Sequence, residues 1–236
     1  MKRLALLLVV VTLFVGSCGA RGQQVGEMQR ESQAVDLENA RSVRAHLMMG
    51  AGELKVSGAA DALMEADFSY NVADWKPKVG YNVNGEKGEL RVEQGSGEDG
   101  RVGGDARNEW DLRFNDEVPI DLRVEMGAGE SDLDLDSLDL TGLNLAMGAG
   151  ETTVDLTGDY ERDLAATIEG GVGRATVRLP SQVGVRVRAE GGLGRINAEG
   201  LQRDGEAYVN DAYGDSDVNL EVEVQGGVGE INLEVV

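Results

Sequence analysis

Through the second half of the chain, apolar and polar residues alternate in steps of two. Leu122, Val124 and Met126 share one face, with Asp121, Arg123 and Glu125 on the other, the mark of a strand with one buried side. Leu133 with Leu135, then Leu143, Leu145 and Met147, and Val154 with Leu156 repeat the pattern. It continues through Ala175, Val177 and Leu179, through Val183, Val185 and Val187, and through Val218 to Val224, closing at Ile231, Leu233 and Val235. No convincing helical period occurs in this region.

The alternating runs are punctuated by Gly-x-Gly. Its six copies are Gly50-Ala51-Gly52, Gly127-Ala128-Gly129, Gly148-Ala149-Gly150, Gly171-Val172-Gly173, Gly192-Leu193-Gly194 and Gly227-Val228-Gly229. Their first glycines are 77, 21, 23, 21 and 35 residues apart, and a unit of 21 to 23 residues is the length of two short strands with their turns. Glycine within an alternating run marks a bend or bulge where φ turns positive or backbones approach closely. An all-β, solenoid-like stack of short strands with the glycines aligned at one corner is predicted, successive units burying their apolar faces against neighbours. A β-sandwich with turns at similar spacing is the competing fold.

The long first interval has a different composition. Phe68, Tyr70, Trp75, Tyr81, Trp110 and Phe114 all fall within it, which predicts an aromatic-rich β region over 35–118 with a small core of its own, before the repeat region at 119–236. The stretch 95–104, GSGEDGRVGG, reads as an exposed glycine-rich loop.

Ahead of these regions the chain opens with Lys2 and Arg3, an apolar run from Leu4 to Val15, and small residues before Cys18. This is the pattern of an export signal, too short to cross a bilayer comfortably. Val15-Gly16-Ser17-Cys18 resembles a bacterial lipobox, which implies cleavage after residue 17 and lipid on Cys18. An ordinary signal peptide cut near Ala20 is the alternative. From 18 to 34 the chain is polar without a sustained period and reads as a flexible tether with a reach of roughly 20–24 Å, although a short helix also fits. The expected location is the cell envelope, lipid-anchored, and the outer membrane if the host has one.

Charge narrows the field further. With 43 acidic against 22 basic residues the net charge is −21, which repels phosphate backbones and argues against nucleic acid as a partner. One cysteine and one histidine make neither an internal disulfide nor a Cys/His zinc site.

The repeated phrase Met-Gly-Ala-Gly-Glu at 49–53, 126–130 and 147–151, together with Ala66 to Val72, Trp75-Lys76-Pro77 and the tail Tyr208 to Gly214, resembles the toastrack proteins. The resemblance spans roughly 35–236. It implies a β-repeat domain of the kind found in cell-wall-active antibiotic response proteins and adhesin-like relatives, much of the family having no assigned biochemical activity. Envelope-stress members carry several membrane helices beside this domain, and this sequence has none, which argues against a membrane-sensor role.

Candidate chemistry is sparse. Gly-x-Gly lacks the lysine and helix of a phosphate loop. Asp132, Asp134 and Asp136 alternate along one strand face about 6.6–7 Å apart, too far for one ion without further ligands, and read as a solvated acidic face. His46 lies on the strand entering the first Gly-x-Gly and reads as structural or exposed. Asn210, Asp211, Tyr213, Asp215 and Asp217 form the densest polar loop; it is a candidate for cation or ligand binding, against a turn whose Asx side chains bond their own backbone. No catalytic residue, cofactor or metal is expected. The predicted function is that of a non-enzymatic envelope lipoprotein, a scaffold, adhesin-like or envelope-stress accessory module. Its expected partners are the membrane through Cys18, envelope proteins or glycans, and further copies of itself.

Overall fold

The computed structural model describes residues 25–96 and 104–236; the signal segment, Cys18 and most of the glycine-rich loop lie outside the described residues. Thirteen strands follow in chain order. They are β1 (Val25–Val35), β2 (Ser42–Ser57), β3 (Met64–Val72), β4 (Lys78–Asn84), β5 (Lys87–Glu93), β6 (Asn108–Phe114) and β7 (Ile120–Asp134). The rest are β8 (Leu140–Asp155), β9 (Leu164–Leu179), β10 (Gly184–Glu199), β11 (Gln202–Asp204), β12 (Ala207–Val209) and β13 (Asn219–Val235). A 3-10 turn at Ala73–Trp75 is the one helical element among the described residues.

All thirteen strands join one open sheet, ordered β1-β3-β6-β2-β7-β8-β9-β13-β10-β12-β11, with β5 also beside β2 and β4 beside β5. Its centre is six long parallel rungs, β2, β7, β8, β9, β13 and β10. Each rung is a single strand of 15 to 17 residues with Gly-x-Gly near its middle. The short strands read from the sequence are therefore the two arms of one bent strand.

Burial shows why the bend is needed. On β7 the buried residues are Ile120, Leu122, Val124 and Met126 before the glycines, then Ser131 and Leu133 after them, with Leu135 continuing the series just past the strand. Even positions face inward on one arm and odd positions on the other. In a flat strand that phase change would expose half of the apolar set; a corner at the glycines turns both arms onto a common core.

The aromatic region does not have a core of its own. Phe68 and Trp110 pack edge to face, centroids 5.4 Å apart, and with Phe114 they belong to the same buried cluster as the leucines and valines of the rungs. The joint lies at β2, whose first arm pairs with β5 and second arm with β6. β5 and β6 are together a seventh rung, broken where the others carry Gly-x-Gly.

Two further expectations are corrected. The tether expected over 18–34 is strand from Val25 onward, because β1 pairs antiparallel with β3 over Gln29 to Val35. Successive units are not always neighbours either. β13, the last strand, lies between β9 and β10 and is in register with both, so the connection from β10 through the β11–β12 hairpin returns the chain to a slot left open.

Candidate functional site

The corner sets the geometry of everything around it. The second glycine of each triplet has positive φ, as at Gly129 (133°) and Gly173 (141°). A Cβ on Gly129 would be driven into the carbonyl oxygen of Gly52, and one on Gly173 into that of Gly150. The stack therefore needs glycine at this position both for its dihedral angle and for the approach of the next rung. The first glycines, Gly127, Gly148, Gly171, Gly192 and Gly227, form a second column whose added Cβ atoms would meet the carbonyl oxygen of the adjacent rung. Gly194 and Gly229 complete the first column at the far end.

At the near end Gly50 and Gly52 have no glycine rung beyond them. Two side chains take its place. The N–H groups of Gly50 and Ala51 donate to Gln94 Oε1 at 2.8 and 3.2 Å. Asn108 Nδ2 donates to Ala51 O and to Gln94 Oε1, both at 3.0 Å, while Asn108 Oδ1 accepts from Trp110 Nε1 at 3.0 Å. Gln94 and Asn108 escaped the sequence reading because they act from the two ends of a loop, with no spacing of their own.

Inside the corner, side-chain size is traded between the arms. The last inward position before the glycines is, in spatial order, Met49, Met126, Met147, Gly170, Gly226 and Gly191. The facing position after them is Leu54, Ser131, Thr152, Ala175, Ile231 and Ile196. Where methionine fills the corner of β7 and β8 the opposite residue is a small hydroxyl, Ser131 bonded to Thr152. Where glycine stands in β13 and β10 the opposite residue is isoleucine. β9 alone is small on both sides, at Gly170 and Ala175, and a cavity of about 200 Å³ opens there. Its lip is the middle residue of the last three triplets, Val172, Val228 and Leu193, which are 57%, 49% and 73% exposed. The corresponding residues at the other end are alanines, Ala51, Ala128 and Ala149.

Charge changes along the same axis. Just past the glycines the rungs carry Glu53, Glu130, Glu151, Arg174, Glu230 and Arg195 in spatial order. Arg174 lies 2.8 Å from Glu151 and 3.6 Å from Glu230, and Glu230 also accepts from Asn197 Nδ2 at 2.8 Å. Both arginines line the cavity.

The other residues singled out by sequence are not brought to this corner. Asn210 is buried and turned inward: its Nδ2 donates to Val183 O at 2.8 Å and Pro180 O at 3.2 Å, and its Oδ1 accepts from Val185 N at 2.9 Å. That side chain latches the loop to β10 and leaves no oxygen for a cation. Asp211 accepts from Gln202 Nε2 at 2.7 Å, Tyr213 is half-buried, and Asp215 and Asp217 are at the surface. No cluster of three or more His, Cys, Asp or Glu suited to a metal occurs among the described residues.

Asp132, Asp134 and Asp136 are exposed along β7 and its following turn. Burial pushes the Asp136 carboxyl above the usual carboxylate range, with repulsion from Asp134 and Asp155 added. His46 is half-buried with Nε2 3.2 Å from Glu125 Oε1. Arg123 holds the Glu125 carboxyl below the usual range, with His46 contributing. Nothing in this geometry places a nucleophile beside a base.

A solved Clostridium sporogenes protein described as a "putative cell adhesion protein" is 36% identical over 89% of this chain and 100% of its own, with a TM-score of 0.87. A Bacteroides fragilis "putative adhesin" aligns over 88% of this chain and 97% of its own at 10% identity and a TM-score of 0.29. No protein of curated function matches. The family model for the N-terminal domain of toast_rack, DUF2154, matches residues 24–178, which span β1 to β9, and the chain belongs to that toast_rack family.

Proposed function

We propose that this protein is a non-enzymatic adhesion module of the cell envelope, exported and held to a membrane by lipid on Cys18, with its open sheet presented to proteins or glycans outside. The observation that carries this reading is the 36% identity to a "putative cell adhesion protein" along that chain's whole length. The shape is in keeping with it: the rungs form a long regular surface with a charge row that is glutamate at one end and alternates arginine with glutamate at the other, suited to a broad contact. A scaffold or accessory role in envelope stress is the same module with a different partner, and self-association through open strand edges is compatible with either.

The test compares cells carrying wild-type protein, no protein, and Cys18→Ala. Adherence to immobilised wall glycans and envelope proteins is measured, followed by cross-linking and mass spectrometry. Loss of adherence in both altered strains, with the Cys18→Ala protein released to the medium, supports the reading. Unchanged adherence without the protein overturns the adhesion role, and full retention of Cys18→Ala at the membrane overturns the anchor.

A further inference from the structure

The cavity at the corner of β9 has the makings of a small-ligand site, its mouth formed by the Arg174, Glu230 and Arg195 end of the charge row. Its inner wall is mainly apolar, with Ile168, Ile196 and Ile231 beside the bare backbone of Gly170, Gly191 and Gly226, and Thr152 and Gln225 also in the lining. It exists because Gly170 and Ala175 are small together, while every other rung pairs a large residue with a small one or two large ones. Enclosed apolar cavities stay dry and take up apolar molecules, one of about 150 Å³ being large enough for benzene; this one is open to solvent along its lip, where Leu193 and Val172 are exposed. At about 200 Å³ this one has room for a chain of about seven or eight carbons. A second acyl chain has no space beside the first.

The lip adds direction. Val172, Val228 and Leu193 extend the apolar wall outward, and beyond them lie Arg174, Glu230 and Arg195. Glu230 is already bonded by Arg174 and Asn197. Arg195 is exposed and makes no ion pair or hydrogen bond among the described residues. In a chain of net charge −21, an unpaired guanidinium at the mouth of an apolar cavity is a complementary site for an anionic headgroup.

We infer that the cavity under Gly170 binds the tail of a single-chain aliphatic carboxylate, with Arg195 at the lip receiving the carboxylate. Protein and ligand associate without covalent change.

The test is calorimetric titration of the folded full-length protein with straight-chain carboxylates of four to ten carbons, kept below their micelle concentrations. Saturable binding is expected, with affinity rising about fourfold per added methylene, then levelling near eight carbons as the cavity fills. Gly170→Met and Ala175→Leu fill the space from opposite arms and should each abolish binding. Gly170 has room for a side chain, the nearest atom to its added Cβ lying 3.9 Å away, so a cooperative melt is expected to persist. Arg195→Gln should weaken carboxylates about tenfold while leaving the matching alcohols unchanged. Absence of saturable binding, undiminished binding in a folded Gly170→Met or Ala175→Leu protein, or binding only to phosphatidylglycerol vesicles would each overturn the assignment.

Discussion

The N–H of Gly50 donates to Gln94 Oε1 at 2.8 Å, so a side chain completes hydrogen bonding that the next rung would supply elsewhere. Ala51 N–H shares that acceptor. Gln94→Ala removes the acceptor from three donors, Gly50 N–H, Ala51 N–H and Asn108 Nδ2. Gly50 is exposed and Ala51 half-buried, so water takes over part of the bonding and the cost is that of an ordinary hydrogen bond, about 0.5–1.5 kcal/mol. The expected result is a loss of that size in urea denaturation, with a smaller loss for Gln94→Glu, which keeps the acceptor.

Glycine matters at the corner for two separable reasons, and substitution should separate them. Gly129→Ala places a methyl at positive φ and against the Gly52 carbonyl, and a loss of more than about 4 kcal/mol is expected. Gly170→Ala meets only one atom, at 3.9 Å, with no positive φ. There the melting temperature should hold or rise, since alanine reduces the freedom of the unfolded chain. Equal losses at both positions would contradict the corner geometry.

Acid titration should act in opposite directions at two places. The Asp136 carboxyl is raised in the folded protein, so its contribution to stability is full below its unfolded pKa and lost as pH rises through the folded value. Neutral pH therefore carries the cost, and Asp136→Asn should raise the melting temperature there by roughly 1–3 °C, a small effect because the group is largely solvated. The gain should vanish near pH 3.

Glu31 behaves in the reverse sense. Lys76 Nζ at 2.6 Å and the Tyr70 hydroxyl at 2.9 Å both donate to it, and these hold its carboxyl below the usual range, Lys76 first. Its stabilisation is present above the unfolded pKa and lost as pH falls through the folded value. Tyr70 is pushed up to about 12, chiefly by burial, and stays protonated throughout. Protection of the β1 amides, relative to their intrinsic exchange rates at each pH, should therefore fall in acid, and Glu31→Gln should show the lower protection already at pH 7.

Much of this fold is legible in the sequence. The triplets mark the corners, and the move of apolar positions from even numbers before Gly127 to odd numbers after Gly129 already contains the bend. β1 was not legible, because it is polar on both faces and is defined by pairing with β3. The place of β13 was not legible either: triplet spacing measures distance along the chain, whereas insertion between β9 and β10 is a matter of long-range register. The cavity lies between. The change from Met-Gly-Ala-Gly to Gly-Gly-Val-Gly is plain in the sequence, but its meaning depends on Ala175, five residues on and across the bend.

The order of the rungs at this corner is the central claim, and disulfide pairing measures it directly. Neighbouring strands lie about 4.8 Å apart, within disulfide reach, whereas alternate strands do not. With Cys18 changed to Ala, Val172→Cys with Val228→Cys and Val228→Cys with Leu193→Cys should each oxidise within one chain, while Val172→Cys with Leu193→Cys should not. An intramolecular bridge in that last pair, with none in the other two, would contradict the placement of β13 and with it the cavity built upon it.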